Sequence, residues 1–222
     1  SMCSRCSMVC PVGIDIAYMI RKVKEGLAAA GFVPEGLQTA GERALELGSP
    51  MGLTEKSLRN AISTLEREEG VSIPIDVEGA EYLCMLSSAE IVMYSEYITA
   101  LSKIFSAAGL TWTLSSKYFE ATNTGVQKGD SGLAVQLLGR MVEVATELKV
   151  KTVVSPECGH AYTTFRWDGP NILGREYPFK VVHILELLDQ LRADGKLKTS
   201  GSFDERLTYH DPCNISRRGG VL

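Results

Sequence analysis

The stretch Glu81-Tyr-Leu-Cys-Met-Leu86, followed by Ser87-Ser-Ala-Glu90, decides the fold class. Its first six residues are an apolar run of strand length, and the serine and glutamate that follow have the spacing of a capping box at a helix N-terminus. Apolar residues then recur at helical spacing until Gly109; they are Ile91, Tyr94, Ile98, Leu101 and Phe105. A strand that leads straight into a helix is the repeating unit of an α/β protein.

The same alternation of strand and helix continues along the chain. Further strands are predicted at residues 110–114, 151–155 and 206–210, and further helices at residues 134–148 and 182–192, with a polar loop at residues 119–130. The short connections indicate a parallel sheet covered on both faces, that is, a Rossmann-like α/β fold. Ligands of such sheets bind beyond the carboxyl ends of the strands.

Three helices are predicted before the first strand, at residues 14–30, 35–47 and 54–68. The first carries one apolar stripe, which consists of Ile16, Ile20, Val23 and Leu27. Gly31 follows that helix, and Gly48-Ser49-Pro50 separates the other two, as is typical of helix ends. A helical N-terminal third therefore precedes the α/β region, which begins after Gly70.

Composition excludes several classes of protein. The chain has 222 residues, 45% of them hydrophobic, so it is long enough to bury a sizeable core and is not disordered. No apolar run reaches the roughly 18 residues of a membrane-spanning helix. With 23 basic and 27 acidic residues the net charge is −4, which disfavours a nucleic-acid partner. Six cysteines are too few for a disulfide-stapled secreted domain, so we expect a reducing cytoplasm.

Three of the six cysteines lie in the first ten residues, as Cys3, Cys6 and Cys10-Pro11. Their spacing, C-x2-C-x3-C-P, is the end of the bacterial ferredoxin run C-x2-C-x2-C-x3-C-P. The first cysteine of that run would fall just before Ser1, so we predict a [4Fe–4S] cluster with at least one ligand outside this chain, and a chain that is an internal piece of a longer protein. Zinc would need a second C-x2-C or a His pair, whereas the next cysteine is Cys84. Absence of any metal is the other alternative.

Two turns follow predicted strands and carry candidate reactive side chains. They are Ser155-Pro-Glu-Cys158-Gly-His160 and His210-Asp-Pro-Cys213. A thiol in such a turn is placed for reactivity or metal ligation, and His160 could donate a proton to a leaving thiolate or orient Cys158. The structural alternatives are that Cys158 is a small buried hydrophobic residue and that His160 bonds a loop carbonyl.

Structural roles are the simpler interpretation of several other residues. Cys84 lies in the middle of an apolar strand and is expected to pack in the core. His183 is expected to be structural, and His210 to fix its turn by a hydrogen bond rather than to bind a ligand. Asn123 and Gly125 predict a loop that needs positive φ, with an anion-binding backbone nest as the alternative.

The order of these motifs resembles the cysteine-rich CCG-domain iron–sulfur oxidoreductases, in particular the DsrK-like proteins and the HdrD-like subunits of heterodisulfide reductase. The ferredoxin-type run is followed by a helical segment, by Ile73-Pro-Ile-Asp76 with Gly79-Ala80, by Glu157-Cys-Gly-His160, and by Tyr209-His-Asp-Pro-Cys213. The resemblance covers essentially the whole chain.

In that family each of two modules follows the order Cys, then Cys-Cys-Gly, then C-x2-C. Here Cys84 is near the opening cysteine of the first module, Asn123-Thr124-Gly125 occupies the Cys-Cys-Gly position, and Ser155 with Cys158 stands at C-x2-C. The chain departs from the pattern, so the resemblance implies a first module without a full cluster of its own. Cys213 corresponds to the opening cysteine of a second module, which implies a metal ligand.

The resemblance also implies a division of the chain into three parts. Residues 1–70 would be the C-terminal part of an α-helical [4Fe–4S] ferredoxin domain, residues 71–205 the first, degenerate CCG module, and residues 206–222 the start of the second module. Cys3, Cys6 and Cys10 would hold the cluster, and Cys158, His160 and Cys213 would line the catalytic thiol site.

The function implied by the resemblance is that of an iron–sulfur electron-transfer subunit in a heterodisulfide-reductase-like oxidoreductase. Ferredoxin-type clusters would exchange electrons with a disulfide- or trisulfide-type sulfur substrate, either a heterodisulfide or a small sulfur-carrier protein. The resemblance implies a membrane cytochrome-type subunit as partner, and we expect no transmembrane segment in the chain itself. We expect a cytoplasmic location, at the inner face of the membrane through that partner.

Two other functions fit the same residues. The chain could be the iron–sulfur relay of a glycolate, lactate or glycerol-3-phosphate dehydrogenase complex, in which case a flavoprotein partner is expected. It could also be a docking module without redox chemistry, which the missing Cys-Cys pair favours.

Overall fold

A four-stranded parallel sheet lies at the centre of the molecule, in a computed structural model that describes residues 3–120, 123–155, 158–202 and 204–221. The strands are β1 (Tyr82–Cys84), β2 (Trp112–Thr113), β3 (Thr152–Ser155) and β4 (Lys180–His183). Their order in space is β2-β1-β3-β4, with Tyr82 opposite both Trp112 and Thr152. The prediction of an α/β fold with a parallel sheet is confirmed.

Helices precede, connect and cover the strands. They are α1 (Arg5–Met8), α2 (Ile16–Ala29), α3 (Glu35–Leu47), α4 (Glu55–Glu69), α5 (Ser88–Val92), α6 (Glu96–Ala107), α7 (Thr124–Lys128), α8 (Ser131–Glu147), α9 (Gly159–Thr163), α10 (Gly169–Leu173) and α11 (Ile184–Ala193). A π-helical turn, Thr164–Asp168, joins α9 to α10. The three predicted N-terminal helices form within two residues of their expected bounds, and the capping box from Ser87 to Glu90 is present.

Neighbouring residues of each central strand enter different cores, because successive side chains of a strand point to opposite faces. Leu83 and Val153 pack with α8, α9 and the π-helical turn on one face. Cys84 and Val154 pack with α4, α6 and α11 on the other face. Both faces of the sheet are therefore covered by helices, as the short apolar strands predict.

The position of the fourth strand differs from the prediction. The structure has β4 at Lys180–His183, which overlaps the first two residues of the helix predicted at residues 182–192, and residues 206–210 form no strand. Val181 and His183 are buried next to β3, with 8% and 2% of their surfaces exposed. Leu207 and Tyr209 remain 71% and 66% exposed, so residues 206–210 lack an apolar face against which a strand could pack here.

Two other element predictions were wrong in detail. The long helix expected up to Gly109 is split, because the amides of Met93 and Tyr94 both donate to the Ala89 carbonyl and end α5. A new helix, α6, then starts from Ser95. The polar loop predicted at residues 119–130 contains the short helix α7. The spacing of apolar residues does not predict such local hydrogen bonds.

Most of the apolar stripe of helix α2 is exposed. The exposed fractions are 51% for Ile20, 55% for Val23 and 47% for Leu27. On the polar side of the helix, Arg21 Nη1 lies 3.0 Å from Asp168 Oδ1 of the π-helical turn. Helix α2 is therefore joined to the α/β region by polar contacts.

The N-terminus of α8 provides a pH-dependent test of this fold. Asp130 Oδ1 accepts a hydrogen bond from the Leu133 amide at 2.9 Å, and this bond, with a second from Lys128, holds the pKa of the Asp130 carboxyl below its ordinary value of 3.8. We expect Asp130→Ala to lower the free energy of unfolding by about 1 kcal/mol at pH 7, the usual effect of losing an N-cap.

The sign of the pH dependence follows from the lowered pKa. A carboxyl whose pKa is lowered by folding stabilises the protein above its unfolded-state pKa, and that part of the stabilisation is lost as the pH falls through the folded-state pKa. Urea unfolding should therefore show that the difference in free energy of unfolding between wild type and Asp130→Ala becomes smaller below pH 3.8. The control Asp130→Asn keeps the cap but cannot be protonated in this pH range. The difference in free energy of unfolding between Asp130→Asn and Asp130→Ala should therefore not change with pH. A difference between wild type and Asp130→Ala that is constant down to pH 2 would contradict this assignment.

Candidate functional site

The three N-terminal cysteines lie on one short segment around α1. Cys6 is exposed, whereas Cys3 and Cys10 are partly buried. Three thiols are the donors that iron–sulfur clusters use. However, the described part of the chain contains no group of three or more His, Cys, Asp or Glu side chains placed to hold a metal. The donors suit an iron–sulfur cluster by their chemistry but are not gathered in position, so their role as ligands stays a prediction.

Hydrogen bonds attach this cysteine segment to α2. Ser7 Oγ donates to Asp15 Oδ1 at 2.9 Å and accepts from the Ala17 amide at 3.0 Å. Asp15 caps α2 by accepting from the Tyr18 amide at 3.0 Å. The Tyr18 amide, and then the Ser7 hydroxyl, hold the pKa of the Asp15 carboxyl below its ordinary value. The loop between Cys6 and Cys10 is thereby fixed to the start of the first long helix.

Cys158 lies beyond the carboxyl end of β3, as predicted, and caps α9. Its Sγ accepts a hydrogen bond from the Ala161 amide at 3.5 Å, and the side chain is partly buried. Residues 156 and 157 lie outside the described residues, so the Glu157 of the predicted motif is not placed. The structure assigns Cys158 a capping contact that leaves the sulfur partly accessible.

Residues 213–219 form a turn, here called the Cys213 turn, that packs directly against α9. A Cβ atom on Gly159 would lie only 2.9 Å from Ile215 Cγ1 and 3.1 Å from Asn214 Cβ. Thr163 Oγ1 donates to the Asn214 carbonyl at 2.7 Å. The residues that follow Cys158 and Cys213 are therefore in contact, although they are far apart in sequence.

His160 and Cys213 are linked through Asn214. The Asn214 Nδ2 atom lies 3.0 Å from His160 Nε2 and 3.5 Å from Cys213 Sγ. Asn214 is 4% exposed, whereas His160 and Cys213 are partly buried. Sequence reasoning singled out His160 and Cys213 but missed Asn214, whose only signal is its position next to Cys213.

The Cys213 turn also reaches the N-terminal cysteine segment. Arg217 Nη1 donates to the Cys3 carbonyl at 3.0 Å. On its other side, Trp167 of the π-helical turn donates from Nε1 to the Gly219 carbonyl at 3.0 Å. One turn therefore contacts both groups of candidate cysteines. Tertiary contacts of this kind have no signal in the sequence.

Cys84 and the other two histidines lie away from this arrangement. Cys84 is fully buried, and burial, followed by the nearby Glu90 charge, raises the pKa of its thiol. The expectation that Cys84 packs in the core is confirmed. His183 is structural as expected, because its Nδ1 accepts from the Leu185 amide at 3.3 Å and begins α11. His210 is exposed.

Asn123 and Gly125 do not form the predicted loop with positive φ. Asn123 has φ −86° and ψ −5° and starts α7, which contains Gly125. Gly125 is needed for packing instead, because a Cβ there would lie 2.3 Å from the Ala134 nitrogen of α8. The alternative of a backbone nest also fails, since neither residue has the left-handed conformation that a nest needs. Residues 121 and 122 of the same segment lie outside the described residues.

A buried polar network lies beyond the carboxyl end of β1 and was not predicted. The Ser88 amide donates to Glu120 Oε1 at 2.9 Å, and the Ser88 hydroxyl donates to Glu120 Oε2. Ser49 Oγ lies 2.7 Å from Ser88 Oγ. The three side chains are 7% exposed or less. The network connects the turn after α3 to the α/β region, so polar hydrogen bonds fill this edge of the sheet.

Comparison with known proteins finds that the chain is similar to subunits of oxidoreductases, among them an iron–sulfur subunit. It is 28% identical, over 99% of its length, to the D-type subunit of the dihydromethanophenazine:CoB–CoM heterodisulfide reductase of Methanosarcina acetivorans and covers 53% of that protein. It is 26% identical, over 100% of its length, to "Hdr-like menaquinol oxidoreductase iron-sulfur subunit" of Archaeoglobus profundus and covers 48% of it. "EtfAB:quinone oxidoreductase" of Syntrophomonas wolfei is 26% identical over 99% of the chain.

The chain thus spans about half the length of the first two relatives. No protein-family model matches it, and no solved structure does. Among the described residues, no helix is long and apolar enough to span a membrane. The similarity over nearly the whole chain confirms the resemblance to the HdrD-like group and supports a role as an iron–sulfur redox subunit.

Proposed function

We propose that this chain, an HdrD-like iron–sulfur oxidoreductase subunit, carries electrons between a ferredoxin-type [4Fe–4S] cluster and a disulfide- or trisulfide-type sulfur substrate. One observation carries the proposal: the Cys213 turn bonds the cysteine segment through Arg217 and approaches His160 through Asn214. The two groups of candidate thiols are thereby held on either side of one short turn.

In this proposal Cys3, Cys6 and Cys10 hold the cluster, with at least one further ligand from outside the chain. A bound iron–sulfur cluster supplies single electrons at a potential set by its surroundings. Cluster type and ligands are part of the proposal, because the described residues do not gather these thiols into a metal site. Hydrogen bonds from Ser7 and Arg217 hold the segment that carries them.

The proposed thiol site consists of Cys158, Cys213 and His160. A disulfide-type substrate is an electrophile at sulfur, and its reduction to two thiols takes up two protons together with two electrons, which a bound cluster would supply one at a time. Cys158 and Cys213 would contact the substrate sulfur, and His160 would hold the proton for the leaving thiolate. The contact of Thr163 with the Asn214 carbonyl keeps the two sides of this site together.

The proposed partners are a membrane cytochrome-type subunit and either a small sulfur-carrier protein or a heterodisulfide. Two relatives support a partner that exchanges electrons with quinones, since their names describe menaquinol and quinone oxidoreductases. The proposed location is the cytoplasmic face of the membrane, through that cytochrome-type partner. The exposed apolar stripe of α2 is an additional surface on which a partner could pack.

The test is reconstitution of the chain with iron and sulfide under strict exclusion of oxygen. A small external thiol, such as 2-mercaptoethanol, replaces the ligand that the chain does not supply. We expect iron and acid-labile sulfide to bind together with a cluster signal in electron paramagnetic resonance after reduction. Cys6→Ser and Cys10→Ser should lose most of the iron, since exchanging a thiolate for a hydroxyl removes the preferred ligand.

Cys84→Ala is the matched control, because Cys84 is buried in the core and away from the segment. It should keep the wild-type iron content per folded chain. The proposal is wrong if the wild type binds no iron, or if a chain that lacks Cys3, Cys6 and Cys10 binds as much as the wild type. A folded chain without iron would favour the docking module instead.

A further inference from the structure

Asn214 lies between two of the candidate site residues and has no assigned role. Its side-chain nitrogen is 3.0 Å from His160 Nε2 and 3.5 Å from Cys213 Sγ, and the residue is 4% exposed. We propose that Asn214 is a positioning residue, which holds the His160 ring and the Cys213 thiol as one hydrogen-bonded unit. The inference rests on the proposed function, because it concerns the same thiol site.

The backbone holds Asn214 in place independently of these contacts. The Asn214 carbonyl accepts from Thr163 Oγ1 at 2.7 Å, and Asn214 Cβ lies where a Cβ on Gly159 would be 3.1 Å away. The next residues are held by the bonds from the Ile215 and Ser216 amides to the Pro212 carbonyl. The backbone contacts therefore orient the Asn214 side-chain amide without help from His160 or Cys213.

The two contacts of the amide set two properties of the site. Nδ2–H is a donor, so the His160 Nε2 that faces it is an acceptor and the ring proton lies on Nδ1. The same nitrogen lies 3.5 Å from Cys213 Sγ, an acceptor, so the contact fixes the orientation of the sulfur. Asn214 thus favours one tautomer of the His160 ring and one orientation of the Cys213 sulfur.

The chemistry explains why an amide suits this position and a carboxylate does not. An ionised aspartate would be acceptor-only, so it could bond His160 only if Nε2 carried the proton. It would also place a negative charge beside the Cys213 sulfur. Asn214→Asp therefore has almost the same shape as the wild type but alters both contacts.

The first measurement reads the tautomer of His160 by nitrogen-15 NMR of the full chain at pH 8. Only three histidines are present, which makes the assignment tractable with His160→Gln. We expect the Nδ1–H tautomer in the wild type and the Nε2–H tautomer in Asn214→Asp. Neither iron nor substrate is needed, so failure of this inference is distinguishable from failure of the proposed function.

The second measurement compares alkylation of Cys213 with that of Cys158 in one sample at the same pH, by peptide mass spectrometry. Loss of the donor that orients the sulfur should change the rate of Cys213 modification relative to Cys158 by about twofold or more in Asn214→Asp. The control is Asn171→Asp. In the wild type, the side-chain amide of Asn171 donates to the Trp167 carbonyl at 3.2 Å, at an exposed position of α10. Asn171→Asp should leave the His160 tautomer and the ratio of Cys213 to Cys158 alkylation unchanged.

Two further variants separate positioning from folding. Ser102→Ala removes a buried hydrogen bond, from Ser102 Oγ to the Ser72 carbonyl at 2.8 Å, on α6 and away from the thiol site, so it should change stability but not the His160 tautomer. If Asn214→Asp does not fold, Asn214→Leu, which has a similar volume, provides the alkylation ratio. An unchanged tautomer in Asn214→Asp, or a Cys213 to Cys158 ratio within twofold of wild type in the folded variant, would overturn the inference.

Discussion

Gly125→Ala is expected to lower the free energy of unfolding by about 3 kcal/mol, the upper part of the range for overpacking a tight contact. A Cβ on Gly125 would lie 2.3 Å from the Ala134 nitrogen and 2.6 Å from Ala134 Cα. Both atoms belong to the backbone of α8, so no flexible side chain can move aside. Helix α7 would have to separate from α8, and the short connection through Gly129 and Asp130 leaves little room for that movement.

Gly139→Ala is the matched control for this prediction. Gly139 lies inside α8, and a Cβ there would meet no atom within 4 Å. Alanine in an open helix position restricts the unfolded chain, so this variant should gain about 0.5–1 kcal/mol. Urea unfolding followed by circular dichroism measures both changes. If the two alanine variants shift stability in the same direction, the close packing of α7 on α8 is wrong.

Local patterns account for the parts of the fold that the sequence predicts well. The helix Glu35–Leu47 has its expected bounds, and Thr54 caps the next helix as its spacing implies. Capping boxes and helix-ending glycines act over a few residues, so they can be recognised without knowing the fold. Buried strands such as Thr152–Ser155 are short and largely apolar, which is equally local information.

Errors arose where a distant contact decides the structure. The run Lys180–His183 is a strand because β3 provides a partner, whereas residues 206–210 have no buried face. The apolar stripe of α2 gives no sign that Arg21, on the polar side of that helix, pairs with Asp168 of the π-helical turn. Gly125 looks like a turn glycine, although its function is a contact with another helix.

The candidate site shows the same limit. Its cysteines and His160 can be picked out because their spacing and their place after strands have chemical meaning. Asn214 and Arg217 cannot, since their roles depend on contacts with His160 and with Cys3, which are far away in the sequence. Sequence reasoning therefore picked out the candidate side chains, and the structure was needed to find the residues that contact them.

Glu120→Ala is the second variant with a large expected effect. The Glu120 carboxylate accepts from both the amide and the hydroxyl of Ser88, and the Ser88 hydroxyl also contacts Ser49. Removing the carboxylate leaves buried donors without an acceptor, and each such group costs about 1–3 kcal/mol. We expect the free energy of unfolding to fall by about 3 kcal/mol, with faster amide hydrogen exchange around Ser49 because the turn after α3 loses its attachment.

An exposed carboxylate of comparable geometry provides the control. Glu147 Oε2 lies 2.8 Å from Lys117 Nζ, but its side chain is 59% exposed. Glu147→Ala should change stability by less than about 1 kcal/mol, because water and salt screen such pairs. If Glu120→Ala were as mild as Glu147→Ala, the buried network would not be what joins the helical N-terminal third to the α/β region.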